Sequence, residues 1–155
     1  MKLRVVALSH RLPAWVAAGF DDYARRLPRE FTLDLVELKP VPRDRGKSTE
    51  QILALEGQKI AASIRGFYVV ALDDGGESWT TLKLAQALRA WRDRGLAAAF
   101  VIGSADGLSE DIKRNADVIV SLSALTLPHG LVRVLLAEQL YRAISLLQGH
   151  PYHRE

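Results

Sequence analysis

The stretch Phe67-Tyr68-Val69-Val70-Ala71-Leu72, then a helical run over residues 81–94, then Ala98-Ala99-Phe100-Val101-Ile102, decides the fold. Both flanking runs are apolar at consecutive rather than alternate positions, so both faces of each strand need cover. A strand, a crossover helix and a second buried strand make a parallel βαβ unit. The alternation continues outward. Strand-like runs at 3–8 and 31–38 and helical runs at 13–27 and 48–64 precede it. A short helix at 109–115, a strand at 117–121 and a long helix at 131–147 follow it. Pro13 near a helix start, Ser48 or Thr49 as an N-cap and Gly95 at a helix end punctuate the pattern. The reading is α/β: one domain over residues 1–155, a mostly parallel sheet flanked by helices.

Bulk properties narrow the function classes. Apolar residues at 48% and charged residues at 25% are those of a folded core, which excludes a disordered chain. No run of about eighteen uncharged apolar residues is present, so no membrane association is expected. The absence of cysteine excludes disulfides and thiolate metal sites. The first apolar run is too short for an export signal, so a cytoplasmic protein is expected. A net charge of +3 suits a nucleic-acid partner and equally an ordinary enzyme.

Within residues 131–147, twelve of seventeen positions are apolar and they go almost fully round the helix, the pattern of a helix buried on all sides. One sheet covers one face, so a second copy of the chain is expected on another, as in an isologous homodimer. Arg133 falls within the apolar arc and needs a partner there, across the interface or on a substrate phosphate. Directly after this helix come His150-Pro151-Tyr152-His153-Arg154-Glu155, a polar end tied to a buried element and so able to reach into a site.

Several motifs are decoys. Gly46-Lys47-Ser48 lacks the glycine a phosphate-binding loop needs five positions earlier, where Val41 stands between Pro40 and Pro42. The basic loop around it leaves Arg43, Arg45 and Lys47 as candidate contacts to nucleic-acid phosphates, against the alternative of a merely solvated loop. No G-x-G-x-x-G follows a strand and no nucleophile elbow is present. His150 and His153 lack a third ligand nearby, so no metal is expected. Three strand ends do converge in an open α/β sheet, where ligands bind. They are Leu72 with its acidic turn, Gly103-Ser104-Ala105-Asp106-Gly107, and the serine- and threonine-bearing segment after residue 121.

Leu122-Ser123-Ala124-Leu125-Thr126-Leu127-Pro128-His129, Val132-Arg133-Val134-Leu135, Ala137-Glu138-Gln139-Leu140-Tyr141-Arg142-Ala143 and the closing hexapeptide resemble the ribosomal large subunit methyltransferase H family. That family belongs to the SPOUT superfamily of knotted methyltransferases, and the likeness covers the whole chain. It implies a SPOUT-type α/β fold with a deep C-terminal trefoil knot, a homodimer, and S-adenosyl-L-methionine as methyl donor. The implied acceptor is N3 of a pseudouridine in a 23S rRNA hairpin loop on the assembled ribosome. By matching motif, the donor site falls on Leu72, Gly103, Leu122, Ser123, Ala124, Leu125, Thr126 and Leu127. The family's Gly-Gly-Pro-Glu-Gly loop is here Gly103-Ser104-Ala105-Asp106-Gly107, which keeps the glycines and changes what lies between. Gly130 stands where relatives often carry proline.

N3 of the base holds a proton and is a poor nucleophile until it leaves, so a base or a cation must assist. His153 and Arg154 are the candidates for that role, with Tyr152 stacking on or hydrogen-bonding a flipped nucleotide. His129, at the start of the long helix, is a second candidate base, against a capping role. Arg142 is a candidate rRNA contact, against a structural ion pair. The competing class is a dimeric adaptor that binds rRNA without modifying it.

Overall fold

A computed structural model of the protein describes residues 1–44 and 46–153. Five parallel strands, β1 (Lys2–Leu8), β2 (Thr32–Leu38), β3 (Tyr68–Ser78), β4 (Ala98–Ile102) and β5 (Val118–Ser121), form one sheet in the order β2-β1-β4-β3-β5. The crossovers carry α1 (Ala14–Arg26), α2 (Thr49–Ser63), α3 (Thr81–Asp93) and α4 (Glu110–Asn115), and α5 (His129–Leu147) follows β5.

Side chains alternate across each strand, and the two faces build two cores. Val5, Ala7, Val70, Phe100 and Ile102 face α1, α3 and α5, meeting Phe20, Leu88, Trp91, Leu136 and Leu140. Val6, Leu8, Val69, Ala71 and Val101 face α2 and α4, meeting Ile60 and Ile112. This is the two-sided cover that the continuous apolar runs call for. The helix starts are set locally. Ser48 caps α2 by accepting from the Gln51 N–H at 3.1 Å, and the Gln51 side chain accepts from the Ser48 N–H at 2.9 Å, a reciprocal capping box.

The long helix is buried for a different reason from the one expected. α5 lies on the sheet between α1 and α3, so three neighbours of its own chain cover most of its circumference. Two glycines let α1 approach: a methyl on Gly19 would stand 3.1 Å from Val134 Cγ1, and one on Gly130 would stand 3.2 Å from Val16 Cγ2. Arg133, 2% exposed, finds its partners within the chain. Its Nη2 donates to Ser9 Oγ at 2.7 Å and its Nη1 pairs with Glu37 Oε2 at 3.2 Å, which ties α5 to the carboxyl ends of β1 and β2. What α5 leaves to solvent is a narrower strip that includes Leu135.

The turn expected after Leu72 is a bulge within a longer strand. The pairing of β3 with β5 shifts between Leu72 and Glu77, both opposite Val120, so Asp73 to Gly76 bow out of the ladder. A methyl on Gly76 would stand 2.7 Å from the Val120 backbone, so only glycine permits the strand to resume.

Leu140 is fully buried where α5 meets the sheet core. Leu140→Ala is expected to lower unfolding free energy by about 2–5 kcal/mol. Urea denaturation checks this, with a lower midpoint at unchanged slope.

Candidate functional site

The carboxyl ends of β3, β4 and β5 open into a cleft of about 520 Å³. Leu72, Asp73 and Asp74 line it from the start of the bulge in β3, residues 103–107 from the end of β4, and Leu122, Ser123, Leu125, Thr126 and Leu127 from the segment after β5. His129 and Val132 close it from the first turn of α5. Seven of the eight positions singled out for a donor site therefore border one cavity; Ala124 is exposed and outside the lining.

The loops have definite shapes. The Gly107 N–H donates to the Ser104 carbonyl at 2.9 Å, closing a tight turn, and Gly107 takes a φ of 87° that suits glycine. The turn folds back so closely that a methyl on Gly103 would stand 2.4 Å from the Gly107 carbonyl oxygen. After β5, the Ser121 hydroxyl donates to the Ser123 carbonyl at 3.1 Å and the Leu125 N–H donates to Ser123 Oγ at 2.9 Å. That turn holds Leu125 out to solvent at 75% exposure, at the rim of the cleft.

Electrostatically the lining is one-sided. It contains Asp73, Asp74 and Asp106 and, among the described residues, no lysine or arginine. Arg43 pairs with Asp106 from outside the lining, so Asp73 and Asp74 are the carboxylates that disfavour phosphate and favour a cation there. His129 adds a neutral, unsatisfied group: its Nε2 is buried with no hydrogen-bond partner among the described residues. Burial, and then the nearby Arg133 charge, pull its pKa below the ordinary value of 6.5, against a backbone hydrogen bond to Leu8. The imidazole is therefore neutral at neutral pH and has an atom free to accept a proton or a hydrogen bond.

The chain's end lies elsewhere. After Gly149 the chain doubles back, the His150 N–H donating to the Ser145 carbonyl at 2.9 Å, and forms a 3-10 turn over Pro151–His153. The Tyr152 hydroxyl donates to Glu138 Oε1 at 3.2 Å, and its ring meets Tyr141 edge-on at 4.6 Å between centroids. The Arg142 guanidinium covers that ring at 4.9 Å and its Nε donates to Glu138 Oε1 at 2.8 Å. Burial first, then a hydrogen bond to Tyr23, raise the Tyr152 pKa to about 12. A phenol so placed stays protonated and cannot serve as a base near neutrality. Glu138 lies nine residues beyond His129 on α5, about 13 Å along the helix axis, so Tyr152 is remote from its own chain's cleft. Arg45 and Arg154 lie outside the described residues, as does the side chain of His153.

The basic loop holds a residue spent inside the chain. Arg43 donates from Nε and Nη2 to Asp106 Oδ2 at 3.2 and 2.9 Å, from Nη2 to Ser104 Oγ at 2.9 Å, and from Nη1 to Glu56 Oε2 at 3.1 Å. Lys47 is exposed at the start of α2. Glu56, 1% exposed, escapes the sequence reading, although Ile52, Glu56 and Ile60 follow one another at helical spacing. A lone acid on that buried stripe was the available signal.

The family comparison matches residues 1–153 to the model described as "Predicted SPOUT methyltransferase". The chain belongs to the SPOUT methyltransferase family. It is 54% identical over 155 residues to "Ribosomal RNA large subunit methyltransferase H" of Burkholderia ambifaria (strain MC40-6), covering 99% of each chain. The protein of that name from Burkholderia cenocepacia (strain HI2424) is equally similar, at 54% identity and 99% of each chain. Among solved structures, a "Probable Methyltransferase from Bordetella pertussis Tohama I" superposes with a TM-score of 0.61 at 16% identity, over 92% of this chain and 95% of that one. A tRNA (m1G37) methyltransferase from Aquifex aeolicus gives a TM-score of 0.53 at 15% identity, over 94% of this chain and 70% of that one. These likenesses show the fold, a single α/β domain with a parallel five-stranded sheet flanked by helices.

Two predictions follow the geometry. Gly103→Ala is expected to displace the loop and abolish ligand binding in the cleft while leaving the melting temperature within a few degrees, read by calorimetry and thermal denaturation side by side. The depressed His129 pKa means that the unfolded chain binds the extra proton more readily, so stability falls as pH drops below 6.5 toward the folded value. His129→Gln is expected to lose less stability than the parent between neutral pH and that lower range, measured by urea titration at each pH.

Proposed function

We propose that this protein transfers a methyl group from S-adenosyl-L-methionine to N3 of a pseudouridine in large-subunit (23S) rRNA on the assembled ribosome. The observation that carries the reading is the cleft itself. Three strand-end loops enclose a glycine cradle and apolar walls, and the polar lining is acidic with no cation. Such a site fits a ligand that has an apolar, aromatic part and a positive centre, and it does not fit a nucleoside triphosphate. Membership in the methyltransferase family and the rRNA methyltransferase names of the full-length relatives support the same donor and the same class of acceptor.

The donor supplies an already activated sulfonium methyl, so the protein's task is to position it and to prepare the acceptor. Leu72, Gly103 and the segment from Leu122 to Leu127 would hold the donor through backbone groups and apolar contact. Asp73 and Asp74 would balance its positive charge, Asp106 being paired with Arg43. His129 lines the cleft with its ring neutral, and its Nε2, buried and without a partner among the described residues, would accept a hydrogen bond from a substrate group that reached it. No group of three or more metal-binding side chains gathers among the described residues, and the chemistry requires none.

Two copies of the chain form the working unit in this account. Trp15 on α1, Leu135 on α5 and Leu125 at the cleft rim are 56%, 36% and 75% exposed, large apolar side chains that a second copy would cover. The terminal turn docks on α5 and toward α1, remote from its own cleft. The copy whose cleft it would serve is therefore the partner, where His153 and Arg154 would assist loss of the N3 proton. Exposed Lys47, with Arg45, would meet rRNA phosphates, while Arg142 orders Tyr152 through its ring and Glu138. The deep trefoil knot belongs to this reading through family membership.

Incubation with methyl-labelled S-adenosylmethionine and unmethylated ribosomes, followed by nucleoside analysis, tests the reading. Label in N3-methylpseudouridine is the expected result. Ribosome binding with no label would favour an rRNA-binding adaptor instead. A chain lacking residues 152–155 is expected to be inactive, as is Gly103→Ala. Coexpressing the two is expected to restore activity, because the mixed dimer holds one intact cleft facing one intact tail.

A further inference from the structure

We propose that Arg43 is a positioning residue for the donor cleft, holding the loop of residues 103–107 against α2 by bridging the buried Glu56 and the cleft-lining Asp106. This rests on the reading of that cleft as the donor site.

Glu56 is the buried anchor of this bridge. A carboxylate at 1% exposure is costly unless its oxygens are satisfied. Here one oxygen accepts from the Val41 N–H at 3.0 Å and from Arg43 Nη1 at 3.1 Å, while the other accepts from the Ser104 hydroxyl at 2.9 Å. The far edge of the same guanidinium takes Asp106, and Nη2 reaches Ser104 Oγ as well. Nη1 also donates to the Val41 carbonyl at 2.8 Å, which fixes the arginine to its own loop. One planar fork thus joins three segments that are distant in sequence: the loop after β2, the middle of α2, and the turn after β4 that lines the cleft. Lysine offers a single point of charge and cannot span both carboxylates. With its donors so engaged, Arg43 acts on the loop and not on rRNA phosphate.

The test compares the full-length protein with Arg43→Lys, which keeps a charge beside Glu56, and with Arg43→Gln/Glu56→Gln, which removes the buried pair together. S-adenosylhomocysteine binding is measured by calorimetry without RNA. Steady-state rates on ribosomes and the salt dependence of ribosome binding are measured alongside. The expected result is an affinity for S-adenosylhomocysteine lower by about tenfold in both variants, the scale of one charge-assisted hydrogen bond. KM for the donor should rise correspondingly while kcat and the salt slope of ribosome binding stay near the parent's. Unchanged S-adenosylhomocysteine binding with weaker ribosome binding and a shallower salt slope would overturn the proposal and make Arg43 a phosphate contact. Failure of the parent protein to bind S-adenosylhomocysteine would instead reject the reading of the cleft.

Discussion

Because all five strands run in the same direction, every loop that leaves a carboxyl end must leave from one edge of the sheet. The site depends on this constraint. It brings Leu72, Gly103 and the segment after Ser121, which are separated by long stretches of chain, around a single cavity. α5 then has to start at that edge and run back beneath the sheet between α1 and α3, so its first turn closes the cleft with His129 and Val132. The helix that completes the core is thus the same element that walls the site.

Two buried charges stabilise opposite flanks of this edge. Arg133 joins α5 to Ser9 and Glu37 at the ends of β1 and β2. Glu56 joins α2 to Arg43 and Ser104 beside the end of β4. Neither is an economical way to fill a core, since apolar residues of similar size serve as well or better. Both make sense as devices that fix loop positions, because hydrogen-bonding geometry is directional where apolar packing is not. The unpartnered Nε2 of His129 stands beside the first of these anchors and takes its depressed pKa partly from it.

Much of this was legible in the sequence, and for identifiable reasons. The apolar runs at 67–72 and 98–102 required cover on both faces, and the two cores supply it. The cavity-lining loops were legible because glycines and short polar residues at strand ends are local signals. Other features depend on contacts between distant segments. The apolar circumference of α5 signalled burial but could not distinguish a second copy from α1 and α3, since a helical wheel does not name its neighbours. Arg43 read as a basic surface residue because Glu56 and Asp106, its partners, lie 13 and 63 positions away. The terminal hexapeptide reads as a site element, while the docking of Tyr152 against Glu138 and Tyr141, away from its own cleft, requires the folded α5.

The central claim is that the strand-end cleft binds the methyl donor, and amide chemical-shift mapping tests it most directly. Titrating S-adenosylhomocysteine into isotope-labelled protein is expected to shift the amides of Leu72, residues 103–107 and residues 122–127 at saturation, leaving unmoved a second groove between α2 and α4, lined by Ala54, Gly57, Gln58, Ser109 and Ile112. Shifts concentrated in that α2–α4 groove, or no saturable shifts at the three strand ends, would contradict the account.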